Sequence, residues 1–158
     1  MRKMSAKGLA LIEQWEGSSN TVYRDSAGYP TIGVGHLLKK DELSSGKICL
    51  SDKVIKIHDP ISEEDILSIL SSDIMLAAEC VDKAVKVQLT QDQFDALVSF
   101  TFNVGIGAFK GSTLLKVLNN GYIENVPKEL ARWNRAGGKV VPGLVNRRNN
   151  EIKLFGFI

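Results

Sequence analysis

Ile66, Leu70, Ile74, Ala77 and Val81 recur at three- and four-residue spacing, and this run constrains the fold more than any other feature. Leu67 and Ala78 widen the stripe, Asp59-Pro60 breaks the chain just before it, and Ser62-x-x-Asp65 reads as a capping box. A helix over 62–84 spans about 33 Å at roughly 1.5 Å per residue. In a chain of 158 residues it leaves room for one folding unit, or for two small lobes sharing a core. Thr90-x-x-Gln93 opens another helix carrying Phe94, Leu97, Val98, Thr101 and Phe102. A cap at Ser112 or Thr113 starts a short helix that ends at Asn120-Gly121. The pattern gives a further helix over 123–134, a loop at 136–139 and a last helix after Pro142.

The N-terminal third differs. Ser5 caps a helix over 5–16 in which Leu9, Ile12 and Glu16 share a face, and Gly17 stops it. Thr21–Arg24 reads as a strand, 26–29 as a turn, and Pro30–Gly35 as the returning strand. Residues 41–60 are poorly patterned; Lys47 to His58 alternates weakly, as an extended excursion with His58 on the surface. The whole is α+β: a small lobe over 14–60 with a β-hairpin, and a helical lobe over 61–158 onto which the first helix packs. The long helix joins them, and a cleft is expected between.

Two carboxyls frame that hairpin. Glu16 ends an apolar stripe, where loss of water favours a protonated general acid, and Asp25 sits nine residues on at a turn near water, where it stays ionised. Carboxyls whose surroundings push their pKa values apart are the general signature of an acid/base pair. Thr31 follows six residues later, and the strand closes on His36.

The string E-x8-D-x5-T, with D-x-x-G-x-x-T-I-G-x-G-H-L running from Asp25 to Leu37, closely resembles the active-site segment of phage lysozymes (endolysins) of the T-even type. These are glycoside hydrolases that cleave bacterial peptidoglycan. The match is dense over 13–38 and looser, but in order, to the C-terminus. The resemblance implies a lysozyme-like fold with Glu16 as acid, Asp25 as base and Thr31 holding a water. It implies sugar contacts from Leu37, from Phe102 and Asn103 in the stretch Phe100–Gly105, and from a hydroxyl at Ser112 or Thr113. It also pairs His36 with Asp73 on the long helix, a structural ion pair, and makes the R-R-x-x-E of Arg147, Arg148 and Glu151 a stabilising one. The reaction it implies hydrolyses the β-1,4 bond between N-acetylmuramic acid and N-acetylglucosamine, inverting the anomeric centre, with no metal and no cofactor.

Composition narrows the partners. Hydrophobic content of 44% with 24% charged residues is ordinary for a globular protein, and a net charge of +2 with no aromatic-basic motif argues against a nucleic-acid partner. Residues 128–158 hold seven cations against Glu129 and Glu151, so this end carries +5 and the rest −3, a distribution suited to an anionic polymer such as the wall. Cys49 and Cys80 show no metal-binding or redox spacing and read as free thiols, Cys80 in the core. No signal peptide or membrane-spanning run is legible; the resemblance implies synthesis in the host cytoplasm, holin-dependent release and action on the periplasmic wall, and a monomer is the expected state. Two rivals stand beside the lysozyme reading: a lytic transglycosylase, which needs one Glu and no bound water, and a non-catalytic wall-binding module.

Overall fold

The computed structural model describes residues 1–156, which divide into two compact units: Leu9–Asp73, and Met1–Gly8 together with the chain from Ile74 onward. The division passes through two helices, α1 (Ala6–Glu16) and α3 (Glu63–Ala84).

In Leu9–Asp73, a three-stranded antiparallel sheet runs in the order β1 (Ser19–Arg24), β2 (Pro30–Gly33), β3 (His36–Leu37). Tyr23 pairs with Thr31, and Thr31 with Leu37. The returning strand therefore stops at Gly33, not at Gly35. Gly33 and Gly35 take φ of 65° and 66°, and that left-handed turn folds His36 and Leu37 back as a third strand. Ile32 is fully buried and Val34 nearly so, with Ile12 from α1.

The weakly patterned region after Leu38 is ordered. It forms α2 (Lys40–Ser45) and a hairpin of β4 (Lys47–Cys49) with β5 (Val54–Lys56), which buries Ile48 and Ile55. The hairpin matches the alternation, whereas α2 escapes it because six residues are too few to show a helical period. Gly46 ends α2 at φ 70°, and a Cβ there would collide with the His58 ring, so both backbone and neighbour require glycine. His58 is exposed, as expected. The capping box at α3 is only half made. Ser62 Oγ accepts from Asp65 N at 3.0 Å, but the Asp65 carboxylate turns to Lys53 Nζ at 2.9 Å.

The other unit is built around α4 (Gln91–Val104), in which Phe94 and residues 96–100 are essentially inaccessible. Its capping box is complete: Thr90 Oγ1 accepts from Gln93 N and Gln93 Oε1 from Thr90 N. α4 packs chiefly on α8 (Pro142–Phe155). Phe100 meets Trp133 and Phe109 edge to face, at centroid separations of 5.4 and 6.4 Å. The start of α1 is pinned to α4 by buried Asp95, whose carboxylate accepts from Ser5 N, the Ser5 hydroxyl and Gln91 Nε2. Gly8 lies against it, where a Cβ would approach Asp95 Oδ2 to 2.7 Å.

α5 (Ile106–Lys110) and α6 (Thr113–Asn119) follow. The helix expected over 123–134 is shorter: a 3-10 turn at Ile123–Asn125 leads into α7 (Val126–Ala131). The expected loop at 136–139 is the tip of a small hairpin, β6 (Arg135–Ala136) with β7 (Lys139–Val140), turned by Gly137 and Gly138 at positive φ. Among the described residues no helix is long and apolar enough to cross a membrane.

Candidate active site

The hairpin holds Asp25 by backbone hydrogen bonds. Its Oδ1 accepts from Ala27 N at 3.0 Å and Tyr29 N at 2.8 Å, while Asp25 N donates to Tyr29 O at 2.9 Å. Arg24 Nη1 donates to Gly28 O and closes the turn from the other side. Oδ2 has no hydrogen-bond partner among the described residues, so one carboxylate oxygen fixes the group and the other is available for chemistry.

Thr31 lies on β2, nearly inaccessible, and its hydroxyl donates to Tyr29 O at 3.0 Å. With its proton committed, Thr31 Oγ1 can act toward a further group only as an acceptor. Tyr29 is thus a common anchor: its N–H holds Asp25 and its carbonyl holds Thr31.

Glu16 is the last residue of α1, and Gly17 follows at φ 77°. It is exposed, which corrects the expectation of a carboxyl held dry at the end of an apolar stripe. The fully buried part of the stripe closes one turn earlier, at Ile12, and Glu16 lies at the exposed end of the helix. One turn before it, Glu13 shares a hydrogen bond with exposed Glu63, which pushes the Glu63 carboxyl above its usual range.

His36 joins two carboxylates. Its Nδ1 lies 2.8 Å from Asp73 Oδ2, the expected pair, and its Nε2 lies 3.0 Å from Glu42 Oε1. Glu42 also accepts from Lys39 N at 2.9 Å, so it bonds to both ends of the segment that carries exposed Leu37. The hydrogen bond to Asp73 raises the His36 pKa most; burial opposes it, and Glu42 adds to the rise. Nothing in the sequence flags Glu42, because α2, which presents it, is too short to show a helical period.

In the other unit Phe102 is half-buried and Asn103 exposed at the end of α4, unlike the buried face of that helix. Arg148 Nη2 donates to Asn103 Oδ1 at 2.6 Å, which leaves the amide NH2 to face a ligand. Ser112 drops out as a sugar contact. It is buried, its Oγ accepts from Leu115 N as the cap of α6, and its proton goes to Phe109 O at 2.6 Å. Thr113, the next residue, is exposed and lines a pocket of about 280 Å³ with Glu129, Arg132 and Trp133.

The R-R-x-x-E motif is an interior cluster. Glu151 lies 2.8 Å from Arg148 Nε and 3.4 Å from Arg147 Nε, and Ser99 Oγ donates to it at 2.6 Å. The Arg148 guanidinium also stacks 5.0 Å over Phe100. Burial pushes Glu151 up, against the pull of Arg148, Ser99 and Arg147, and pushes both arginines down. Two of the seven cations credited to a basic C-terminal surface are therefore inside.

The phage lysozyme family matches residues 13–151. The endolysin of Bacillus phage B103 is 40% identical over 154 residues, which make up 96% of this chain but 53% of that protein. The chain thus spans about half the length of the Bacillus phage relatives it matches. The endolysin of Salmonella phage P22 is 35% identical over 157 residues, covering 98% of this chain and 99% of the relative. Among solved structures, the muramidase domain of SpmX from Asticaccaulis excentricus superposes with a TM-score of 0.77 at 31% identity, over 98% of each chain. The fold is lysozyme-like.

Proposed function

The chain belongs to the phage lysozyme family, and from that premise we propose that it is an endolysin hydrolysing the β-1,4 bond between N-acetylmuramic acid and N-acetylglucosamine in peptidoglycan. The E-x8-D-x5-T spacing is the ground for assigning it the acid, base and threonine of the T-even type. The observation that carries the proposal is the Tyr29 anchor, which fixes Asp25 through one oxygen and commits the Thr31 proton.

In the proposed reaction Glu16 gives its proton to the glycosidic oxygen as the C1–O bond breaks. A water donates one hydrogen bond to Thr31 Oγ1 and the other to Asp25 Oδ2, and attacks C1 while its proton passes to Asp25. Attack from the face opposite the leaving group inverts the centre and leaves a hydrated reducing end; such enzymes keep their carboxyls about 6.5–9.5 Å apart. A transglycosylase has no use for a base that holds water, so the Asp25–Thr31 arrangement favours hydrolysis. Phe102 offers a ring face to a sugar, and Asn103 and Thr113 offer polar contacts to acetamido or hydroxyl groups. Leu37, exposed on β3, adds an apolar one.

Exposure of Glu16 implies that the substrate itself supplies the desolvation that keeps the acid protonated. The alkaline limb of the pH profile is then expected at higher pH in kcat, which reports the complex, than in kcat/KM, which reports the free enzyme. Coincident limbs would reject substrate-driven desolvation.

Mass spectrometry of fragments released from purified peptidoglycan tests the assignment. Wild type is expected to release hydrated reducing muramic acid ends and Glu16→Gln none. Anhydro ends would make the chain a transglycosylase, and an absence of fragments from both proteins would leave only wall binding. Release to the wall through a holin belongs to the same proposal; lysis on expression without one would reject it.

A further inference from the structure

On the Ile74-onward unit, two depressions adjoin, and neither is lined by a residue assigned a part in hydrolysis. One is a trough of about 390 Å³ between the C-terminal half of α3 and α5, lined by Leu76, Cys80, Ala84 and Ile106 together with the paired Glu79 and Lys83 and with Lys110. The other is a polar basin of about 400 Å³ beside α6, bordered by Lys110, Lys116, Asn119 and Asn120. Lys110 belongs to both, and Asn119 ties them together, since its Nδ2 donates to Ala84 O at 2.9 Å and its Oδ1 accepts from Lys86 N at 2.8 Å.

The two halves differ in chemistry. At the trough, Leu76 is 67% exposed and neighbouring Met75 45%, although most other apolar residues of the helix are buried. Around the basin, Lys86, Lys110 and Lys116 are exposed and enter no ion pair among the described residues. The carboxylates on this part of α3 are engaged, Glu79 with Lys83 at 2.6 Å and Asp82 with Arg2 N at 3.2 Å. An apolar slot joined to an uncompensated basic basin is complementary to a molecule with an apolar chain and an anionic head.

We propose that this face docks on an anionic phospholipid bilayer, with Leu76 and Met75 entering the acyl boundary and Lys86, Lys110 and Lys116 over lipid phosphates. Lysines near an anionic surface and a small inserted apolar area each supply a modest, additive attraction, so the binding is reversible and salt-sensitive. The proposal is independent of the hydrolase reading, because it concerns residues outside that site and is read out by binding.

Vesicle flotation of the full chain tests it, with phosphatidylcholine vesicles against vesicles containing phosphatidylglycerol. Wild type is expected to float only with the anionic vesicles. The pair Lys110→Glu and Lys116→Glu is expected to weaken binding at least about tenfold and Leu76→Ser about fivefold. The pair Lys128→Glu and Lys139→Glu, which changes net charge equally on other elements, is expected to stay within about twofold. All are exposed positions, and unchanged thermal melts verify that the variants fold. Equal loss in the Lys128/Lys139 pair would reduce the effect to net charge and overturn the proposal. So would unchanged binding by Leu76→Ser, flotation with phosphatidylcholine alone, or full displacement by millimolar inorganic phosphate.

Discussion

Among the described residues, two interior charge clusters have opposite composition. In Leu9–Asp73 one titratable cation, His36, sits between two carboxylates, Asp73 and Glu42. In the other unit one carboxylate, Glu151, sits between two guanidiniums, Arg147 and Arg148. Each supports a residue proposed to touch sugar: Glu42 bonds across the segment carrying Leu37, and Arg148 orients Asn103. They differ in how they can relieve burial. His36 can release its proton, although its two carboxylates favour the cation, and Asp73 keeps 27% of its side chain in water. The arginines remain charged, and their cluster is almost dry, with side-chain exposures of 6%, 1% and 0%. The first cluster is adjustable and the second is all-or-none.

The largest expected effect comes from breaking the second. Glu151→Ala removes the buried carboxylate that Arg148 and Arg147 share and is expected to cost about 3–5 kcal/mol, measured by denaturant unfolding. Because Arg148 also holds Asn103, any folded fraction is expected to show a raised KM. A loss under about 1 kcal/mol would mean that water reaches the cluster and would break the contrast. Glu42→Ala comes next. It removes hydrogen bonds to His36 and to Lys39 N, and about 1.5–3 kcal/mol is expected, since His36 keeps Asp73. Equal costs for the two variants would make the clusters equivalent.

The same contrast explains what the sequence disclosed. Long periodic signals were legible: α3, α4 with its Thr90–Gln93 box, and the hairpin around Asp25 lie close to where spacing puts them. The His36–Asp73 pair and the Arg147–Arg148–Glu151 cluster were legible through the resemblance. Glu42 was not, because α2 is shorter than two turns and its signal drowns in the polar run after Leu38. Exposure of Glu16 was hidden because a three-four spacing names a helix face without saying how far along the helix it stays covered. Ser112 and Thr113 could not be separated by type. Only the cap geometry, which spends the Ser112 hydroxyl on Leu115 N and Phe109 O, tells them apart.

The smallest effect separates the clusters by pH. The His36 pKa is raised in the folded chain by Asp73 first and by Glu42, against burial. A histidine favoured as its cation contributes stability that is fully present below its unfolded value, near 6.5, and is lost as pH rises through the folded value. The unfolding midpoint is therefore expected to fall as pH is raised from about 6.5 toward about 8.5, a window below the range of the buried Cys80 thiol, which burial raises further. His36→Gln is expected to flatten this slope. Ser99→Ala, which touches only the arginine cluster, is expected to lower the midpoint evenly and leave the slope intact. Loss of the slope in Ser99→Ala, or its survival in His36→Gln, would show that the pH dependence does not originate at His36.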